Sequence, residues 1–148
     1  ITSILNKIKM EVERQQKDGR ILDIAINGKE RSILLDEQFI EHALHNLIDN
    51  AFKYSPNAPN PEVKIQFGAK KISIKVKDFG IGIPKNDQNN LFNSFQRGSN
   101  TQHIQGTGLG LAVAKEFVRL NNGTIYLNKE AKEGTEFCID LPVKIKAL

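Results

Sequence analysis

Between Asp36 and Tyr54 the chain places Phe39, Ile40, Ala43, Leu44, Leu47, Ile48 and Ala51 at intervals of three and four residues. On a helix that spacing makes a single apolar stripe, and the rest of the chain must supply a surface to cover it. Asp36 is placed to cap the helix start, and Glu37 adds negative charge where the helix dipole favours it. His42, Asn46 and Asn50 follow one another at i, i+4 and i+8, with Lys53 three residues later, so the four project along a similar side. Any solvated helix shows a polar column opposite its apolar stripe. This one also offers neutral amide oxygens, which suit a hard cation such as Mg²⁺ that keeps water and substrate phosphates in its shell. An ammonium one turn further on could meet those phosphates.

The flanking segments supply the covering surface. Ile1, Ile4, Leu5, Ile8 and Val12 predict an amphipathic helix from Ile1 to about Lys17, ended by Asp18-Gly19. Arg20 to Ile26 reads as a strand, and the Asn27-Gly28 turn signal followed by Ser32 to Leu35 predicts a small hairpin. Ser55 to Pro61, with its prolines and asparagines, is a loop. Strict alternation in Glu62 to Phe67 and in Ile72 to Lys77 predicts an antiparallel pair with one wet face. Lys85 to Gln105 is polar, with Leu91, Phe92, Phe95 and Ile104 as large apolar anchors; a connection of that length in a compact domain behaves as a lid. The stretch from Gly106 leads into a helix reaching about Leu120, with Leu111, Ala114, Phe117 and Val118 on its apolar face. Thr124 to Asn128 and Thr135 to Leu141 close the chain as a second strand pair, and Lys144 to Leu148 forms a tail.

Composition narrows the function classes. A chain of 148 residues with 39% hydrophobic content fits one domain with a real core. The formal charge is +4, but acidic and basic residues interleave without a long basic run, so no nucleic-acid partner is expected. The single cysteine, Cys138, lies in a strand and reads as a small buried apolar residue; without a disulfide framework, a reducing, cytoplasmic setting is expected. No stretch approaches the roughly 20 apolar residues of a membrane span. The chain starts at Ile1 already in helical pattern, which predicts a piece of something longer.

Glycines at 80 and 82, and again at 106, 108 and 110, allow tight turns and close approach of the backbone to a ligand. The second cluster opens a helix, where unpaired N–H groups and the positive dipole end suit phosphate oxygens. Asp78, at a strand end, could accept a hydrogen bond from an exocyclic amine such as that of adenine, or simply cap its turn. Arg97 offers a planar donor fork for a phosphate or a carboxylate. The phosphate loop G-x-x-x-x-G-K-[ST] is absent, and G-x-G-x-x-G fails because Val113 follows Gly108 and Gly110 where the third glycine belongs. Asp78-Phe79-Gly80 lacks the H-R-D loop that accompanies that triplet in protein kinases.

Taken in order, these motifs resemble the ATP-binding catalytic domain of bacterial two-component sensor histidine kinases, in the superfamily shared with gyrase, mismatch-repair and heat-shock chaperone ATPases. The resemblance covers roughly Ser32 to Pro142: His45 to Ser55 is similar to the N box, Asp78 to Pro84 to the G1 box, Leu91 to Arg97 to the F box, Gly106 to Leu111 to the G2 box, and Gly134-Thr135 to the last glycine motif. It implies a two-layer α/β sandwich, a mixed and mostly antiparallel sheet with helices on one face, and an ATP lid between the G1 and G2 motifs. It implies that Asn50 ligates Mg²⁺, that Asn46 supports metal and phosphates, and that Lys53 and Arg97 contact phosphates. Tyr54 would lie against the adenine, Asp78 would receive its amine, and Gly80, Gly82 and Ile83 would line the base. Phe95, Thr135 and the run Gly106, Thr107, Gly108, Leu109, Gly110 and Leu111 complete the implied nucleotide contacts.

One position departs from the hydrolysing members, which place a glutamate four residues before the metal asparagine; here that position is Asn46. The resemblance therefore implies phosphoryl transfer rather than hydrolysis. The phospho-accepting histidine is expected outside this chain, because His42, His45 and His103 all lack the acceptor context. Residues 1–18 would be the end of a linker from that hairpin and 19–148 the ATP-binding domain. A parent that dimerises through the hairpin and passes phosphate to a response regulator is implied, with this piece monomeric and membrane anchoring of the parent left open. The alternatives are a nucleotide-binding module without transfer and a serine kinase of the anti-sigma type.

Overall fold

The computed structural model describes residues 1–95, 97–100 and 109–144. Three helices, α1 (Thr2–Gln15), α2 (Glu37–Lys53) and α3 (Gly110–Leu120), accompany five strands: β1 (Asp23–Asn27), β2 (Glu62–Phe67), β3 (Lys71–Asp78), β4 (Thr124–Leu127) and β5 (Thr135–Pro142). The strands form one sheet in the order β1-β2-β3-β5-β4. β1 runs parallel to β2, and every other neighbouring pair is antiparallel. This is the mixed two-layer arrangement that the motif order implied.

Alternation decides which face the helices cover. Val63, Ile65, Ile72, Ile74, Val76, Ile139 and Leu141 are buried, while Lys64, Gln66 and Lys75 between them are exposed. Onto the apolar face packs α2, whose Ile40, Leu44, Leu47 and Ile48 are essentially inaccessible. Its start is capped as expected: the Phe39 N–H donates to Asp36 Oδ1 at 3.3 Å. α3 lies beside it, with the Phe39 and Phe117 rings stacked at 4.7 Å. The Asp36 N–H donates to Asn121 Oδ1 at 2.8 Å, tying the start of α2 to the end of α3.

One expectation is corrected. The Asn27-Gly28 turn does not make a hairpin: residues 32–35 form no strand, and β1 pairs with β2 in the register Ile24↔Val63 and Ile26↔Ile65. An isolated two-stranded hairpin is marginal in water, whereas an added edge strand joins a sheet already backed by helices. The segment after the turn runs instead toward the chain's end, where the Leu34 N–H donates to the Lys144 carbonyl at 3.4 Å. The apolar stripe of α1 finds its partner surface within the domain. Leu5, Ile8 and Val12 belong to the same buried cluster as α2 and the sheet. Lys7 donates to Glu41 at 2.7 Å, and the Leu22 N–H donates to Glu13 at 3.0 Å, so α1 is fastened to α2 in front and to the start of β1 behind.

The lid segment begins with a 3-10 turn, Lys85–Asn90, after which Leu91 is buried and Phe92 meets Phe137 edge-on at 6.0 Å. Ile104 and the tail beyond Lys144 lie outside the described residues. Cys138 is buried on β5, and burial pushes its thiol up. Among the described residues no helix is long and apolar enough to cross a membrane.

The packing of α1 is directly testable. Ile8→Ala is expected to cost about 2–5 kcal/mol, because it opens a cavity in a shared core. Met10→Ala, on the exposed face of the same helix, should stay within about 0.5 kcal/mol. Urea unfolding of both variants checks this, and equal, negligible effects would show α1 to be dispensable.

Candidate functional site

Between α2, the G1 turn and the ends of β3 and β5 lies a cavity of about 230 Å³. Four secondary-structure elements and two connecting segments build it. α2 contributes Asn46, Leu47, Asp49, Asn50, Ala51 and Lys53, followed by Tyr54. The sheet contributes Val76 and Asp78 from β3 and Thr135 and Phe137 from β5, all inward-facing. Ile81, Gly82 and Ile83 close one side and Gly110 and Leu111, at the start of α3, another, with Leu91, Arg97, Gly98 and Asn100 from the lid segment. A mostly apolar slot thus meets a polar wall of amides and cations, the usual anatomy of a small-molecule site.

Asp78 is the most constrained group in it. It ends β3 opposite Thr135, with 5% of its surface exposed. The Gly80 N–H donates to its Oδ1 at 2.9 Å. Burial pushes its carboxyl up to about 6, opposed by the amides of Gly80 and Thr135 and by the field of Arg20. The backbone around it is close-packed. A Cβ at Gly80 would overlap the Tyr54 carbonyl oxygen, and one at Gly134, whose φ is +63°, would overlap the Asp78 carbonyl oxygen. Glycine at 80 and 134 therefore lets the G1 turn and the β4–β5 turn close on the end of β3.

The polar wall is ordered by short contacts. Asn46 Nδ2 donates to the Gly110 carbonyl at 3.3 Å, joining the middle of α2 to the first residue of α3. Lys53 Nζ stands 5.5 Å from the Tyr54 ring centroid. Asn100 Nδ2 donates to the Gly82 carbonyl at 3.2 Å and so ties the lid segment to the G1 turn. Among the described residues no group of three or more His, Cys, Asp or Glu side chains converges to hold a metal. Asn46 and Asn50 fit a hard cation that arrives with its own phosphate and water ligands, not a free ion.

Of the residues singled out from sequence, Asn46, Asn50, Lys53, Tyr54, Asp78, Gly82, Ile83, Arg97, Gly110, Leu111 and Thr135 come together in this cavity. Gly80, Phe95 and Leu109 do not line it: Gly80 packs behind the wall against Tyr54, and Phe95 is 74% exposed. Gly106, Thr107, Gly108 and His103 fall outside the described residues. His42 stands away from the cavity, 5.7 Å from the Phe117 ring, and His45 Nε2 is 3.6 Å from Glu11 on α1. Sequence reasoning missed Asp49, Ile81, Gly98 and Asn100 as wall residues. It also passed over Val76 and Phe137, although their inward position was readable from strand alternation.

Comparison with known proteins identifies the family and the fold. The chain is 38% identical over 144 residues to the sensor histidine kinase YvrG of Bacillus subtilis (strain 168), covering 94% of this chain and 25% of that protein. The chain thus spans about a quarter of that relative's length. Among solved structures it is similar to the mycobacterial sensor histidine kinase MprB, with a TM-score of 0.79, 25% identity, and coverage of 98% of this chain and 97% of that one. Full-length ShkA, determined in complex with AMPPNP, shares the fold at a TM-score of 0.83 and 21% identity over 99% of this chain and 30% of that one. Residues 35–145 match the pattern of the family described as histidine kinase-, DNA gyrase B-, and HSP90-like ATPase, and the chain belongs to that family.

Proposed function

We propose that this chain binds Mg-ATP in the cavity and presents its γ-phosphoryl group to a histidine outside the chain, as the catalytic domain of a two-component sensor kinase. The observation that carries this reading is the buried Asp78 carboxylate at the wall of an apolar slot whose other side gathers Asn46, Asn50, Lys53 and Arg97. An adenine amine donating to Asp78 orients the base, with Gly82 presenting no side chain against it. The triphosphate then runs toward Lys53, Arg97 and the start of α3, where the positive end of the helix dipole favours anionic oxygens. Asn50, with Asn46 beside it, would hold Mg²⁺, which would supply positive charge to neutralise the phosphates. The sensor kinase names of the relatives and the AMPPNP complex of ShkA support the same reading.

Phosphoryl transfer asks mainly for positioning and charge neutralisation. At the place where hydrolysing relatives carry a glutamate, Asn46 engages the Gly110 carbonyl, so a side chain that cannot take a proton from water occupies it. This favours transfer over hydrolysis. In the proposed scheme a histidine hairpin of the longer parent accepts the phosphoryl group and a response regulator receives it next, the parent being dimeric.

Asp78 generates two predictions of opposite sign. Its carboxyl moves from 3.8 to about 6 on folding, so the native state favours the protonated form. Its contribution to stability is complete below pH 4 and lost as pH rises through about 6; the ionised group then costs the fold about 3 kcal/mol. Asp78→Asn should therefore be more stable than wild type by roughly 2–3 kcal/mol above pH 7, the gap closing toward pH 4 in urea unfolding. A gap independent of pH would contradict this assignment of the carboxyl.

Binding runs the other way, because the adenine amine needs the ionised acceptor. Calorimetric Mg-ATP affinity at pH 7.5 is expected to fall about ten- to a hundredfold in Asp78→Asn, the worth of one charge-assisted hydrogen bond. Wild-type affinity should weaken about tenfold per pH unit well below pH 6. Phosphoryl transfer to an added histidine hairpin, abolished by Asn50→Ala, tests the kinase step; binding without any transfer would leave a nucleotide-binding module instead.

A further inference from the structure

Arg20 lies on the connection between α1 and β1, ahead of residues 35–145 that match the family. Its side chain is only 11% exposed. Each of its nitrogens is engaged. Nε donates to Asp18 Oδ2 at 2.7 Å, Nη1 donates to the Ser55 carbonyl at 2.7 Å and to Ser55 Oγ at 2.9 Å, and Nη2 donates to the Phe52 carbonyl at 3.1 Å. The guanidinium carbon lies 5.3 Å from the Phe52 ring centroid. A cation at the C-terminal end of α2 is favoured by the helix dipole, but a planar fork is needed to reach these acceptors at once, and a lysine has none.

The carbonyls it holds flank Tyr54, a wall residue of the cavity. The Tyr54 carbonyl accepts the Ile81 N–H at 3.2 Å and fills the space where a Gly80 side chain would be. Gly80 in turn donates its N–H to Asp78. A continuous path of contacts therefore runs from Arg20 through the end of α2 to the G1 turn and the buried carboxylate. Asp78 is faced by the Gly80 and Thr135 amides, and Arg20 supplies the positive field that opposes its protonation. The other charged wall residues, Asp49, Lys53 and Arg97, stand on α2 and in the lid segment.

We propose that Arg20 is a positioning residue for the adenine side of the cavity: its guanidinium fixes the Phe52–Ser55 carbonyl ledge on which the Gly80–Ile81 turn rests, and so sets where Asp78 meets the exocyclic amine of the base. This rests on the nucleotide reading above and adds to it a residue that touches no ligand. Arg20 thereby sets base selectivity, not phosphate affinity.

The test compares ATP with ITP, which carries the same triphosphate but a 6-oxo group in place of the amine. Affinities of both are measured calorimetrically at pH 7.5 for wild type, Asp78→Asn, Arg20→Met and Arg20→Lys, with folding checked by circular dichroism. Wild type is expected to prefer ATP by at least tenfold. Arg20→Met should lose most of that preference, as Asp78→Asn does, while its ITP affinity changes by less than about threefold, and its ATP affinity should begin to fall at a higher pH than in wild type. Equal weakening of both nucleotides, with the ATP/ITP ratio intact, would mark Arg20 as merely structural and overturn the proposal. Should Arg20→Met not fold, Arg20→Lys carries the test, since it keeps the charge but not the fork: a ratio reduced severalfold supports the proposal and an unchanged ratio overturns it. If folded wild type binds neither nucleotide, the nucleotide reading falls and this proposal with it; if Asp78→Asn loses the preference and Arg20→Met keeps it, the Arg20 role falls alone.

Discussion

The rotational phase of α2 on the sheet is the constraint from which the rest of the molecule follows. Ile40, Leu44, Leu47 and Ile48 are at most 1% exposed, and each buried side chain of this kind contributes roughly 1.5–3 kcal/mol. Turning the helix by one residue would expose part of that stripe and bury Asn46 or Asn50 in its place, so the apolar contact locks the polar one. Leu47 and Ala51 show the coupling directly, being at once members of the core and part of the cavity wall. The site needs no separate mechanism to orient its amides, because the hydrophobic effect has already done so.

Against that stable background the end of β3 is where the fold gives something up. An ionised Asp78 is held by backbone amides in a buried place at the cavity wall, where the register Asp78↔Thr135 fixes the end of β3 and desolvation opposes its charge. A carboxylate kept at a cost to the unliganded protein is a common mark of a binding group, since a ligand donor can recover what the fold lost. Arg20 limits that cost from a distance without filling the cavity, which a direct ion pair would have done.

Periodicity made most of the architecture legible. The α2 stripe, the β2 and β3 alternation and the β5 pattern all reappear within a residue or two of where the sequence places them. What failed was a reading that depended on a partner distant in the chain. Asn27-Gly28 is a strong local turn signal, yet β1 gains more by pairing with β2 than by folding back on residues 32–35. An apolar stripe does not name its partner either, so the packing of α1 with α2 and Leu22 is visible only in the fold. The motif glycines and amides led to most of the cavity wall, but Asn100 carries no pattern that would set it apart in a polar stretch. Arg20 is illegible for the same reason, its acceptors lying 32 and 35 residues away.

The hydrogen bond from Asn46 to Gly110 shows how one scaffold can separate two chemistries. In the proposed reading the triphosphate passes between α2 and the start of α3, and this bond joins those two walls at the point where a hydrolytic base would stand. A glutamate there would be charged at neutral pH and would be repelled by the carbonyl it replaced Asn46 to face, so it would turn toward solvent or an attacking water. The amide instead donates to that carbonyl, which removes a proton acceptor from the γ-phosphoryl side and stiffens the junction of the two helices at once. In the proposed reading, transfer to an external nucleophile would then depend on what the γ-phosphoryl group is shown to, and a wall that activates no water would leave that group for an arriving histidine.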